Sequence, residues 1–309
     1  RARFVPRYVA LAIAIVIVLG VTGAVIFVLA RNFGAFAANA DLYGARIDDL
    51  AAQIYERLGL PGAPPTLGQA IARVDPARLV GAIGAGVQNV AANVIFILIY
   101  LGFMFSAAAV MPRKLDVIFP DPKHRAHAGD VLDAIRTSID RYLYVQTLMS
   151  LLICTLTFAS LEAIGLENTL FWTFLIFFLN YIPTVGSIVA VALPTAFALV
   201  QFPDLARVAA VAASIGVWQF VIGNFVQPRM TGQSLNLSAV VVLLALAIWG
   251  AIWGITGAFL AAPLTVMIVI VCAQFSSTRW IAVLLSADAR PGIATTRAAH
   301  ADPEKADEA

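Results

Sequence analysis

Long runs without a charged residue alternate with short charged segments along most of the chain. Four of these runs are each about as long as one bilayer crossing, which needs ~20 predominantly apolar residues. The runs predict transmembrane helices at 8–30, 87–110, 142–163 and 207–227. Because a spanning segment must satisfy its backbone hydrogen bonds internally, we expect an all-α, polytopic integral membrane protein.

Two further apolar runs, 169–201 and 237–272, are too long for one crossing, and Pro and Gly interrupt each near its middle. A straight helix of either length would measure ~50 Å, against an apolar bilayer core of ~30 Å. The breaks lie at 180–186 and 249–257. Paired breaks of this kind are typical of a transporter site near the bilayer midplane. We interpret each run as a re-entrant hairpin; a pair of short tilted spans and a single kinked span are the alternatives.

Charge and periodicity divide the chain into six segments. Arg1, Arg3 and Arg7 precede the first span without an acidic residue, which predicts a cytoplasmic location for that end. Apolar positions at helical spacing in the polar stretches indicate amphipathic helices. The expected segments are a first transmembrane helix at 1–30, an extracytoplasmic helical segment at 31–86, a transmembrane helix at 87–111, a cytoplasmic amphipathic segment at 112–141, a transport core at 142–272 containing both broken runs, and a partly disordered cytoplasmic tail at 273–309.

The composition is that of a membrane protein, and the net charge gives no reason to expect a nucleic-acid partner. The chain is 61% hydrophobic and only 12% charged, whereas a soluble domain carries about 25% charged residues. Its net charge of +2 gives no basis for a nucleic-acid partner. Cys154 and Cys272 lie inside apolar runs, and we expect both to be buried small residues rather than a disulfide. Membrane lipids and a small polar solute are the expected partners.

Signatures of enzymes are nearly absent from the sequence. It contains no P-loop, no Gly-x-Ser-x-Gly and no His-Glu-x-x-His. His124 and His127 stand three residues apart beside Asp121, but Pro120 and Pro122 indicate a solvated loop rather than a metal site. We expect no enzyme, no catalytic residue, no cofactor and no metal.

Neutral polar residues and helix breakers inside the apolar runs form the candidate solute site. No Asp, Glu, Lys or Arg is expected at mid-membrane depth, which argues against a proton antiporter. Each amide could instead only form a hydrogen bond between helices, and the Gly250–Gly254 pair could only allow two helices to pack closely. The candidate solute-binding residues are Asn180, Pro183, Thr184, Gly186, Gln219, Asn224 and Gln227, and the candidate hinges are Pro183, Gly186, Gly250, Gly254, Gly257 and Pro263.

Three stretches resemble the AI-2E family, the autoinducer-2 exporter-type permeases. Residues 180–187 read Asn-Tyr-Ile-Pro-Thr-Val-Gly-Ser and are followed by Pro194. Residues 223–232 read Gly-Asn-Phe-Val-Gln-Pro-Arg-Met-Thr-Gly. Residues 249–264 read Trp-Gly-Ala-Ile-Trp-Gly-Ile-Thr-Gly-Ala-Phe-Leu-Ala-Ala-Pro-Leu. These stretches stand in the order and approximate spacing of the family.

The resemblance implies a multi-pass permease of the bacterial inner membrane, with eight membrane segments, re-entrant hairpins and an elevator-like mechanism. It also implies a homo-oligomer, a pentamer, and a role in quorum sensing through export of autoinducer-2. Family members usually begin with a further two-helix hairpin, so we expect that the chain is truncated at its N-terminus.

Three functions are open at this point. The first is export of a small polar solute such as autoinducer-2. The second is sodium/proton antiport on the same fold, described for some relatives, which predicts an essential carboxylate such as Glu162 or Glu167. The third is a non-transporting membrane scaffold whose segments 31–86 and 112–141 bind partners.

Overall fold

The computed structural model describes residues 7–59, 76–231, 237–275 and 277–287. Within these ranges the protein is helical, apart from turns and one isolated β-bridge. The expected all-α class is therefore confirmed. Arg1 and Arg3, the middle of segment 31–86 and the expected disordered tail beyond 287 lie outside the described residues.

The described helices include both long and short members. Five stretches are long and apolar enough to cross a membrane: Val9–Asn32, Ala92–Ile118, Pro122–Ile164, Leu205–Met230 and Val240–Gln274. The helices, in chain order, are α1 (Arg7–Ala38), α2 (Ala40–Leu58), α3 (Pro76–Ile118), α4 (Pro122–Ile164), α5 (Thr169–Leu179), α6 (Val185–Gln201), α7 (Leu205–Val221), a π-helical turn (Ile222–Val226), α8 (Gln227–Thr231), α9 (Ala239–Gln274) and α10 (Arg279–Leu285).

Helix α4 joins two elements that the sequence suggested separately, the amphipathic segment and the span that follows it. The expectation of a loop at His124 and His127 is wrong, because α4 already begins at Pro122. Proline suits the first helical position, where its missing N–H has no partner to lose. Asp121 supports this start by accepting a hydrogen bond from the backbone N–H of Lys123, at 3.1 Å.

The chain forms two compact units. The first contains α1, α2 and α3, and α1 packs along α3. The second contains the C-terminal helices, with α10 packed against α9. The first unit comprises Arg1–Ile118, Leu152–Phe178 and Ile188–Gln219, and the second comprises Phe119–Leu151, Leu179–Ser187 and Phe220–Ala309.

The first broken run is a hairpin, here called hairpin 1, with α5 and α6 as its limbs. The limbs lie side by side, since the rings of Trp172 and Phe197 are 5.3 Å apart between centroids. Its two ends also meet. The Gln201 side chain donates to the carbonyl of Gly165 at 2.9 Å and accepts from the N–H of Glu167 at 2.8 Å. A single kinked span would hold these ends far apart, so that alternative is excluded.

The second broken run, hairpin 2, is α9 folded at Gly254 into limbs at 239–253 and 255–274. The start of this hairpin is bonded to the end of α10, the short helix that follows it. The backbone N–H of Ser238 donates to the carbonyl of Leu285 at 3.2 Å, and Leu237 forms an antiparallel bridge with Ser286. The bend at Gly254 and the close approach of Gly257 to the carbonyl of Trp249 fold the two limbs back on each other, which is the hairpin that the sequence predicted.

Helix α2 is attached to the base of hairpin 1 through Tyr43. The Tyr43 hydroxyl donates a 2.7 Å hydrogen bond to Glu167 Oε2, and its ring meets Phe197 edge-on at 5.6 Å. Burial, reinforced by the hydrogen bond and negative charge of Glu167, raises the pKa of Tyr43 to about 12. The contact joins the amphipathic helix to the hairpin within the first unit.

Candidate functional site

The tip of hairpin 1 is a tight turn made by Pro183 and Thr184. Pro183 has no N–H and disfavours helix in the residue before it, so α5 stops. The N–H of Val185 then bonds back to the carbonyl of Pro183 across Thr184, whose φ is +61°. This is the strained form of the γ-turn, rare for a β-branched residue. Strained backbone of this kind is concentrated at functional sites.

Gly186 closes that turn by permitting a close backbone approach. A Cβ at this position would overlap the carbonyl oxygen of Leu179, seven residues earlier. Hairpin 2 uses the same device, because a Cβ at Gly257 would overlap the carbonyl oxygen of Trp249. Both hairpins therefore need glycine where one limb begins to run back along the other.

Gly254 makes the sharp bend of hairpin 2. Its φ of 64° and ψ of −140° lie in a region that is essentially restricted to glycine. Gly250 differs, because a Cβ there would make only an ordinary contact of 3.9 Å with Ala258. Pro263 lies inside the second limb without ending it. Of the predicted hinges in α9, Gly254 and Gly257 are thus the ones whose backbone requires glycine.

A chain of amides runs through the second unit beside the tip of hairpin 1. Gln146 of α4 donates from Nε2 to the backbone carbonyl of Asn180 at 2.6 Å. Its Oε1 accepts from Gln227 Nε2 at 3.3 Å. Gln146 is only 8% exposed. Two of the predicted residues, Asn180 and Gln227, are therefore brought together through a third that the sequence reasoning had not selected.

An aromatic pair joins the same region to hairpin 2. The rings of Tyr181 and Phe259 stack at 4.6 Å between centroids with an interplanar angle of 17°. The Tyr181 hydroxyl shares a 2.7 Å hydrogen bond with the hydroxyl of Thr147, next to Gln146. The tip of hairpin 1 and the second limb of hairpin 2 thus meet at one place within the second unit.

A π-helical turn sets the position of Gln227. Pro228 follows it and cannot donate to the carbonyl of Asn224, so the helical hydrogen-bonding pattern is interrupted. The N–H of Gln227 bonds instead to the carbonyl of Ile222, five residues earlier. Such turns shift the register of the side chains that follow and are frequent at functional sites.

Asn224 and Thr184 lie outside this chain of amides. Asn224 is exposed and donates to the carbonyl of Phe220 in its own helix at 2.9 Å. Thr184 is exposed at the turn. Gln219 belongs to the first compact unit. Solute binding by the predicted residues, including these three, stays a prediction.

Sequence reasoning missed Gln146 although a signal was present. Gln146 is the one amide side chain in the charge-free run that predicted the 142–163 span. An amide in that position requires a partner in lipid, by the argument that selected Gln219 and Asn224. Tyr181 and Phe259 were noted only as parts of the family resemblance.

The groups gathered here are neutral donors and acceptors. Carboxamides, hydroxyls and a backbone carbonyl can hold the hydroxyl and carbonyl groups of an uncharged solute, since each can exchange one hydrogen bond for another. Among the described residues, no group of three or more His, Cys, Asp or Glu side chains is placed to hold a metal ion. His124 pairs instead with Asp121 at 2.6 Å on the exposed start of α4.

Comparison with known proteins supports this picture of a transporter. The model of the AI-2E family transporters matches residues 2–277. The chain is 29% identical to YhhT of Escherichia coli (strain K12) over 266 residues, 85% of this chain and 75% of YhhT. It is 32% identical to the AI-2 transport protein TqsA of the same strain over 199 residues, 64% of this chain and 57% of TqsA. A protein of Borreliella burgdorferi is 35% identical over 193 residues, 62% of this chain and 52% of that protein.

The match covers both hairpins, the π-helical turn and the spans before them. The family consists of transport proteins rather than enzymes. The chain is a multi-pass membrane protein and belongs to the AI-2E family of transporters.

Proposed function

We propose that the protein is a secondary transporter that exports a small, polar, uncharged solute, with autoinducer-2 as its first candidate. The observation that carries the proposal is the chain of amides from Gln227 through Gln146 to the carbonyl of Asn180, beside two helix breaks. Similarity to the AI-2 transport protein TqsA supports the choice of solute.

In this proposal the solute replaces hydrogen bonds that the amides make to one another. The 3.3 Å bond between Gln146 and Gln227 is long and joins side chains, so a solute hydroxyl can take its place. The predicted residues Pro183, Thr184 and Gly186 shape the turn that presents the Asn180 carbonyl. Asn224 and Gln219 remain proposed contacts in other steps of the cycle.

We propose an elevator-like mechanism because both broken apolar runs form hairpins and the chain belongs to the AI-2E family. The sequence suggested that 169–272 moves against a scaffold of the earlier spans and segment 31–86. We keep 169–272 as the proposed moving part, with the earlier spans and segment 31–86 as the scaffold.

The proposed setting is the bacterial inner membrane, with the C-terminus in the cytoplasm and a homo-oligomeric, pentameric assembly. The bacterial relatives support the membrane, and the excess of Arg before the first span supports the orientation. A role in quorum sensing depends on autoinducer-2 being the solute.

The test is efflux from proteoliposomes that contain the purified full-length parent protein. Labelled autoinducer-2 is loaded inside, and its release is followed with and without imposed sodium and proton gradients. We expect saturable release above that of empty liposomes. Ion exchange without solute release, lost on substitution of Glu162 or Glu167, would instead favour an antiporter. If folded protein showed neither solute release nor ion exchange, the result would favour a non-transporting membrane scaffold.

A further inference from the structure

One face of the last turns of α3 combines basic and apolar side chains. Val110, Arg113, Lys114, Val117 and Ile118 line an open groove of about 330 Å³ on this helix. Their spacing of three, four, seven and eight residues places them on the same side of an α-helix. Arg113 and Lys114 therefore each lie about one turn from Val110 and from Val117.

The apolar side chains of this face are exposed, as are many others on the candidate spans. Val117 is 80% exposed, Ile118 63% and Val110 41%. Arg113 and Lys114 are exposed as well, and neither makes a hydrogen bond or ion pair to the part of the chain that the structure describes. The face thus offers two unpaired positive charges together with apolar surface that the described residues leave uncovered.

The position of the face along α3 places it at the boundary of the membrane. The stretch Ala92–Ile118 is one of the five candidate spans, and Arg113 and Lys114 are its first charged residues. Basic side chains near the end of a span extend to the headgroup level while their stems stay in apolar surroundings. Asp116 lies about 60° around the helix from Arg113 and about 160° from Lys114, at the edge of this face rather than within it.

We propose that this face binds an anionic phospholipid. The guanidinium of Arg113 and the ammonium of Lys114 hold the phosphate, and Val110 contacts the start of an acyl chain. Val117 and Ile118 cover the apolar part of the interface next to the headgroup. An anionic lipid is favoured over a zwitterionic one, because no ammonium group of its own neutralises the phosphate.

The experiment measures lipid selectivity of the full chain in nanodiscs. Discs are prepared from phosphatidylcholine with increasing phosphatidylglycerol, and the lipids retained by the released protein are counted by native mass spectrometry. The test variant is Arg113→Gln with Lys114→Gln. The matched control, Lys123→Gln with Arg136→Gln, removes the same charge from exposed positions of α4. The exchange Arg113→Lys with Lys114→Arg keeps both charges.

We expect the test variant to lose the preference for phosphatidylglycerol by about 25-fold, or about fivefold for each charge removed. The matched control should keep most of the preference, and the charge-keeping exchange should restore it. Both variants should retain the thermal midpoint of the parent in pure phosphatidylcholine, because the side chains are exposed.

Three results would overturn the proposal. Equal loss in the test variant and the matched control would show general attraction of charge. Displacement of retained lipid by inorganic phosphate would show a free-anion site. A change of oligomer mass in the test variant, without a change of lipid preference, would show that a second copy of the chain covers this face.

Discussion

Gln146 and the backbone carbonyl of Asn180 are joined by a 2.6 Å hydrogen bond across 34 positions of sequence. The bond fixes the tip of hairpin 1 to α4 at the place where α5 ends. It satisfies a carbonyl that the broken helix would otherwise leave without a helical partner. The same side chain also accepts from Gln227, so one residue couples the tip to the π-helical turn.

Removal of that side chain should destabilise the protein. Gln146→Ala leaves a partly buried carbonyl without this donor, and we expect a loss of about 1–2 kcal/mol in the free energy of unfolding. Gln53→Ala is the control, because Gln53 is exposed on α2 and, among the described residues, its side chain bonds to Asp49 of the same helix. That control should stay within about 0.5 kcal/mol of the parent. Thermal unfolding in detergent measures both, and equal midpoints would contradict the importance of the bond.

Gly254 and Gly250 should respond in opposite ways to the same substitution. Gly254→Ala forces a Cβ into a backbone conformation close to glycine-only, which should cost about 1–3 kcal/mol and lower the yield of folded protein. Gly250→Ala meets only an ordinary contact with Ala258 and replaces glycine within a helix, so it should be neutral or stabilise by up to about 1 kcal/mol. Equal tolerance of both would show that α9 does not bend at Gly254.

Thr184→Gly should stabilise the tip of hairpin 1. Thr184 in its left-handed conformation is strained by roughly 1–2 kcal/mol, and glycine relieves that strain. Glycine also loses more backbone entropy on folding, which cancels about 0.5–1 kcal/mol of the relief. We expect a net gain of about 0.5–1 kcal/mol. Ser187→Gly, in the first turn of α6, should instead lose stability. Thermal midpoints that fall in both variants would argue against strain at Thr184.

The contact between Tyr43 and Glu167 predicts a dependence of stability on alkaline pH. Since the folded protein raises the pKa of Tyr43 from about 10 to about 12, it binds the proton more tightly than the unfolded chain does. The resulting stability is fully present below pH ~10 and is lost as the pH rises toward ~12.

Tyr43→Phe should remove this part of the pH dependence. The measurement compares thermal midpoints of the parent and the variant at pH 8, 10 and 11, and the difference between them should shrink as the pH rises. If the difference between the two thermal midpoints grew with pH, the protonated Tyr43 hydroxyl would not be stabilising the fold through its hydrogen bond to Glu167.

The hairpins could be predicted because proline and glycine interrupt apolar runs that are too long for one span. Local chemistry decides that α5 stops before Pro183 and that α9 bends at Gly254. The extent of α4 could not be predicted in the same way, since no breaker separates its amphipathic start from its span. The expected loop at His124 failed because proline is tolerated at the first helical position.

The candidate site was only partly predictable from sequence. Asn180 and Gln227 could be selected as polar groups next to helix breaks, but their common partner Gln146 lies far from both in sequence. Which amides meet depends on tertiary packing and on the register shift of the π-helical turn. Asn224 shows the converse, because the same polarity that made it a candidate is satisfied within its own helix.

The central claim is that Gln146 and Gln227 act together in binding the transported solute. Its most direct test is a double-mutant cycle on labelled autoinducer-2 efflux from proteoliposomes, using Gln146→Ala, Gln227→Ala and the double variant, with Gln53→Ala as the control. We expect each single variant to raise KM about tenfold and the double variant to be little worse than either, because the two amides serve one solute. Unchanged KM in the single variants, with parent-level efflux, would contradict the account.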